Sequence, residues 1–85
     1  MELFSLLLLL ALVRDAKDPP AAPVNINTAT VEQLQTLPGV GPSTAKSIVR
    51  YREKNGPFRR VEDMLILKGM SRPRLQKLRP YVKVK

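Results

Sequence analysis

Shifting the sequence by 30 residues lays its second half over its first: Val31 falls on Val61, Glu32 on Glu62, Leu34 on Met64, Leu37 on Leu67, Gly39 on Gly69 and Ile48 on Leu78. One supersecondary unit therefore occurs twice. Neither copy can bury its own apolar stripes, so the two must close on each other around one pseudo-symmetric core. This duplication constrains the fold more than any single residue does, because each copy has to be a short helix, a sharp turn and a second helix.

The boundaries of those helices follow from local chemistry. Thr30-Val-Glu-Gln33 has the form of a capping box, in which the Thr30 hydroxyl accepts from the Gln33 amide while the Gln33 side chain reaches back. A helix over about 31–37 follows, with Val31, Leu34 and Leu37 on one face, and Pro38-Gly39 stops it. Pro42 suits the first position of a second helix, where an amide hydrogen would have no partner. Ala45, Ile48 and Val49 form its buried stripe, and Asn55-Gly56 ends it. The second copy predicts a third helix over about 61–67, carrying Val61, Met64, Leu65 and Leu67. A fourth over about 72–78 carries Leu75 and Leu78 and ends before Pro80. Arg60 stands where Thr30 caps the first copy, and Phe58 and Tyr81 are expected to close the core.

The turn Leu37-Pro-Gly-Val-Gly-Pro-Ser-Thr-Ala45 carries the chemistry. Gly39 and Gly41 are expected at positive φ, leaving room for another molecule's backbone, while Val40 points into the core. Amides at the start of the second helix lack intrahelical partners and add to the positive end of the helix dipole, so the turn suits an anion such as phosphate. Ser43 and Thr44 set hydroxyls beside it, and Lys46, Arg50 and Lys54 follow at intervals of four. Arg72, Arg74 and Lys77 crowd the matching part of the second copy, around Gly69 and Ser71. A formal charge of +8 points to a polyanionic partner, either nucleic acid or an anionic membrane.

The same composition excludes much. The chain has no cysteine and no histidine, so disulfides, cysteine-bound zinc and histidine acid-base chemistry are ruled out. Glu62 and Asp63 are adjacent in a helix and diverge by roughly 100°, which makes them poor as a paired catalytic or metal site. They suit a helix N-terminus instead. No catalytic residue and no metal ligand is predicted.

Residues 24–85 form the expected domain. Ahead of it, 14–23 is a tether whose prolines remove backbone donors. Residues 1–13, MELFSLLLLLALV, hold an apolar run from Leu3 to Val13 that is too short for the ~20 residues of a spanning helix. It has the form of an export signal or a short membrane anchor, although Glu2 leaves its start without a basic residue.

The segments VNINTA, LPGVG, the Ala45-x-x-Ile48 pattern, YREKNGPF and VEDM occur in one order and spacing. In them residues 24–85 resemble the tandem helix-hairpin-helix domain of ComEA-type competence proteins. The resemblance implies an all-α bundle of four to five short helices, a tandem (HhH)2 domain of the SAM-like, RuvA C-terminal-like architecture. It also implies sequence-independent binding of double-stranded DNA outside the cytoplasmic membrane, in DNA uptake, with channel or pilus proteins as further partners. Such a protein would be exported, and periplasmic or anchored at the cell surface. By position, the DNA contacts fall on the amides of Gly39, Val40 and Gly41, with Ser43, Thr44 and Lys46 beside them. No cofactor is implied beyond a monovalent cation at the hairpin carbonyls.

One departure stands out. Where the family has a second Gly-hydrophobic-Gly, this chain has Gly69-Met70-Ser71. A residue with a Cβ costs about 1–2 kcal/mol in left-handed geometry, so the second grip is expected to lean on Arg72 and Arg74, with Ser71 capping the helix. Two other functions compete. Helix-hairpin-helix glycosylases carry a reactive lysine after such a turn, but here that place is Ser43, and the chain leaves little room for a base-flipping pocket. A protein-interaction or DNA-repair accessory module would have the same core and no role in uptake.

Overall fold

The computed structural model describes residues 19–85; the expected export segment at 1–13 and residues 14–18 of the tether lie outside them. In chain order the elements are β1 (Val24–Asn25), α1 (Val31–Leu34), α2 (Pro42–Asn55), a 3₁₀ segment (Val61–Ile66), α3 (Arg72–Leu78), a 3₁₀ turn (Arg79–Tyr81) and β2 (Val82–Lys83). The two copies are thus α1–turn–α2 and 3₁₀–turn–α3, and the domain is mainly helical as predicted. Among the described residues no helix is long and apolar enough to cross a membrane.

Several expected boundaries hold for the expected reasons. Thr30 and Gln33 form the capping box, with the Thr30 hydroxyl accepting from the Gln33 amide at 3.1 Å and the Gln33 side chain accepting from the Thr30 amide at 2.9 Å. Pro42 opens α2, and Gly56, at φ +87°, ends it. The first helix is shorter than predicted. Its α-helical part stops at Leu34, and Thr36 and Leu37 then donate to the carbonyls three residues back, Gln33 and Leu34. The third is 3₁₀ rather than α. The apolar residues of both, Val31-Leu34-Leu37 and Val61-Met64-Leu67, recur every third position, which is the 3₁₀ period. Pro80 does not stop the chain from coiling, because the 3₁₀ turn continues through it.

The core draws on both copies: Leu34, Leu37, Val40, Ala45 and Ile48 from the first, Met64, Leu67, Leu75 and Leu78 from the second, with Phe58 between them. Val31, Val49, Val61, Leu65 and Tyr81 are half-buried around it. Tyr51 stacks on Phe58 with ring centroids 4.5 Å apart. The sequence did not reveal three further core residues, Ile26, Ala29 and Val82. They come from segments outside the repeat, joined where β1 and β2 pair in parallel, Val24 with Val82 and Asn25 with Lys83. Asn27 anchors this junction: its Nδ2 donates to the carbonyls of Phe58 and Val84, both at 2.9 Å, and its Oδ1 accepts from the Phe58 amide at 2.7 Å. Arg52 reaches from α2 to the Ile26 carbonyl at 3.0 Å.

Arg60 replaces the threonine cap, and Asp63 compensates. Its carboxylate accepts from the Arg59 amide at 3.0 Å and the Arg60 amide at 3.4 Å, which satisfies two donors at the start of the 3₁₀ segment. Glu62 pairs with Arg79 at 2.7 Å. Both carboxyls are held below their ordinary pKa, Glu62 by its own backbone amide and then Arg79, Asp63 by the Arg59 amide and then the amide and guanidinium of Arg60. A carboxyl depressed in the folded state contributes stability that is present above its unfolded pKa and fades as pH falls through the folded one. Heat stability should therefore decline as pH drops below about 4, and the double variant Glu62→Gln, Asp63→Asn should show a smaller decline. Thermal melts at neutral and acid pH check this; equal acid sensitivity in both proteins would contradict it.

Candidate functional site

The two hairpins share one construction. Leu37-Pro38-Gly39-Val40 is closed by the Val40 amide donating to the Leu37 carbonyl at 3.1 Å, and Leu67-Lys68-Gly69-Met70 by the Met70 amide donating to the Leu67 carbonyl at 3.1 Å. With Gly39 at φ +75° and Gly69 at φ +85°, each has the third-position geometry of a type II turn, which only glycine adopts without strain. The Val40 side chain is buried as predicted, and its amide is committed inside the turn.

Gly41 is different. Its φ is −94° and its ψ −173°, an extended conformation open to any residue, so the expectation of positive φ is corrected. A Cβ built there would meet nothing within 4 Å. Neither backbone geometry nor packing inside the domain therefore requires glycine at this exposed position. As the N-cap of α2 it supplies no side-chain hydrogen bond, so the Ser43 and Thr44 amides behind it receive no cap. The result is a bare helix N-terminus, carrying positive dipole charge and flanked by the hydroxyls of Ser43 and Thr44.

Ser71 occupies the matching place in the second hairpin. Its φ is −130°, so it bears none of the left-handed strain expected from the sequence. It caps α3 instead, accepting from the Arg74 amide at 3.3 Å. The second hairpin thus has the backbone shape of the first with one of its amides already occupied.

Basic side chains from each copy gather beside the other copy's hairpin. Arg74 and Lys77 of α3 line a groove with Pro38 and Gly39. Arg50 and Lys54 of α2 line another with Lys68, next to the second hairpin, together with Tyr51, Leu67 and the exposed Ile66. Lys46 is exposed on α2. Arg72 is not brought into either groove; it borders a small depression with Glu62, Gln76 and Arg79. Sequence reasoning missed Lys68, because position 68 matches Pro38 in the first copy and so carries no repeated signal. It also missed that the Arg74 side chain donates to hairpin carbonyls. Among the described residues no group of three or more carboxylates could hold a metal ion.

Comparison with known proteins agrees with this geometry. The family model described as helix-hairpin-helix motif matches residues 20–83. ComE operon protein 1 of Bacillus subtilis is 47% identical over 62 residues, which cover 73% of this chain and 30% of that protein. The human endonuclease/exonuclease/phosphatase family domain-containing protein 1 is 48% identical over 56 residues, 66% of this chain and 10% of its own length. An uncharacterized protein of Haemophilus influenzae is 44% identical over 60 residues, 69% of this chain and 54% of its own. The chain spans less than two thirds of the length of each of these relatives. On the match over residues 20–83 this chain belongs to the helix-hairpin-helix family.

Proposed function

We propose that the domain binds double-stranded DNA without regard to sequence, gripping phosphates at the start of α2 and drawing the duplex in with its basic side chains. The observation that supports this most directly is Gly41, an exposed glycine that its own fold does not require. Its missing side chain is accounted for by a ligand that must come close to the Ser43 and Thr44 amides. A phosphate backbone fits, since such contacts fix position and carry no base information. Gly39, Ser43, Thr44 and Lys46 complete the first grip, and Gly69 with Ser71 forms a second whose amides are partly occupied. Arg50 and Lys77 add longer-range attraction, Arg72 more remotely.

The similarity to ComE operon protein 1 supports a place in competence, as an exported or surface-anchored receptor that hands DNA to a channel or pilus protein. The chemistry is binding, without catalysis. A monovalent cation belongs to this reading as an addition, at hairpin carbonyls other than those of Gly39 and Gly69, which Arg74 already holds, seen as a change in affinity when potassium replaces sodium at equal ionic strength. A second reading, an accessory module inside a DNA-processing protein, is favoured by the match to the mammalian relative. Localisation of tagged full-length protein, with the mass of its mature N-terminus, separates the two.

Titration of unrelated labelled duplexes at several salt concentrations tests the binding itself. About 4 to 6 phosphate contacts give a log-log slope of about −4 to −5, alike for every duplex. Lys46→Ala should weaken all duplexes equally and reduce that slope by about one. A flat slope, or an effect of Lys46→Ala confined to certain sequences, would rule the mechanism out.

A further inference from the structure

One side chain touches both hairpins. The Arg74 guanidinium donates through Nη1 to the Gly69 carbonyl at 2.8 Å and through Nη2 to the Gly39 carbonyl at 2.7 Å. These acceptors are two of the three positive-φ glycines among the described residues, one at the bend of each hairpin, and they occupy matching places in the two copies. A guanidinium that meets both carbonyls at nearly equal distance lies between the two bends. The bridge exists once: the position matching Arg74 in the first copy is Thr44, whose side chain cannot span the gap. The domain therefore breaks its own symmetry to place one planar fork between the turns.

From this we infer that Arg74 is a positioning residue, fixing the distance between the two hairpins so that both engage one duplex together. The inference rests on the proposed DNA-binding function, and it changes what Arg74 was expected to do from the sequence. A guanidinium already donating to two carbonyls holds the grips rather than acting mainly as a third. Its rigid, planar pair of donors suits two fixed acceptors, and a charged donor makes each bond stronger than a neutral one. Two grips held at one spacing act as a bivalent ligand, in which the second contact forms at high effective concentration. Grips whose spacing wanders lose that gain. Among the described residues Arg74 pairs with no carboxylate; the ion pairs are Glu62 with Arg79 and Asp63 with Arg60.

The conservative variant Arg74→Lys separates positioning from charge. It keeps the cation and loses the planar fork, whereas Arg74→Gln loses the charge and keeps one amide donor. Because the chain has no cysteine, Ser43→Cys with Pro73→Cys places a spin label beside each hairpin without competing sites. Pulsed electron resonance on the free protein then reads the spacing directly. A narrow distance distribution is expected with Arg74 and a visibly broader one with lysine or glutamine. On an otherwise native chain, both variants should bind duplex DNA about tenfold more weakly. A distribution that stays narrow in Arg74→Lys would overturn the inference, as would Arg74→Lys binding like the native protein while Arg74→Gln does not. If the native protein binds no duplex at all, the proposed function fails, and the distance measurement still decides whether the bridge sets the spacing.

Discussion

Gly41→Asp should leave the domain folded, and slightly more heat-stable, while reducing its affinity for any DNA duplex by about a hundredfold or more. The two effects have opposite signs because they depend on different things. For the fold, aspartate at this place is favourable. The backbone at Gly41 is extended, a side chain there meets nothing, and α2 begins without a cap. Aspartate is among the preferred N-caps and its charge complements the helix dipole, contributing about 0.3–1 kcal/mol, while removing glycine also narrows the unfolded ensemble. For the ligand, the new carboxylate occupies the approach to the Ser43 and Thr44 amides and opposes phosphate. A like charge placed against a partner costs several kcal/mol, and each 1.4 kcal/mol is about tenfold in Kd. Circular dichroism melts and a duplex titration measure both halves. Undiminished binding would remove the first hairpin from the interface, and a large fall in melting temperature would mean that glycine is needed by the fold.

Asn27→Ala should produce the largest loss of stability of any polar substitution in the domain, about 2–4 kcal/mol. Its amide satisfies the Phe58 carbonyl, the Phe58 amide and the Val84 carbonyl, which lie 31 and 57 residues away along the chain. Alanine removes all three bonds and leaves their partners without replacements, at about 1 kcal/mol or more each. For a domain of this size every kcal/mol lowers the melting temperature by about 4–8 °C, so a fall of about 8–32 °C is expected. Asn27→Asp should do no better, because a carboxylate would face two carbonyls. A fall of under about 3 °C for Asn27→Ala would show that water replaces these bonds at little cost. Neither variant alters the hairpins, so DNA binding by the folded fraction at low temperature should be unchanged.

The parts of this molecule that were legible beforehand are those in which one residue type has one physical use. Pro42 could only open a helix, Gly56 could readily close one, and Thr30 with Gln33 formed the expected box. The 30-residue shift exposed the shared core because burial imposes the same apolar positions on both copies. What stayed hidden depended on context. Gly39 and Gly41 are the same residue, yet the first needs its left-handed backbone and the second does not. The 3₁₀ character of Val61–Ile66 was written in apolar positions three apart, but a short α-helix presents them almost as well. Two-residue strands have no period to detect, and the use of Asn27 depends on segments distant in sequence. Arg74 looked like one more phosphate contact because composition gives a cation's charge and not the carbonyls it faces.

Since β1 and β2 join Val24 to Val82, the two copies are fastened by segments that lie on either side of the whole repeat. Contacts between such distant points form late, after the intervening loop has been ordered. A polypeptide without Val82 would lack this clasp between the segments that flank the two copies. Trimming the chain ahead of residue 82 would therefore be felt at its opposite end, where Val24 and Asn25 would lose their strand partners and Ile26 its bond to the Lys83 carbonyl.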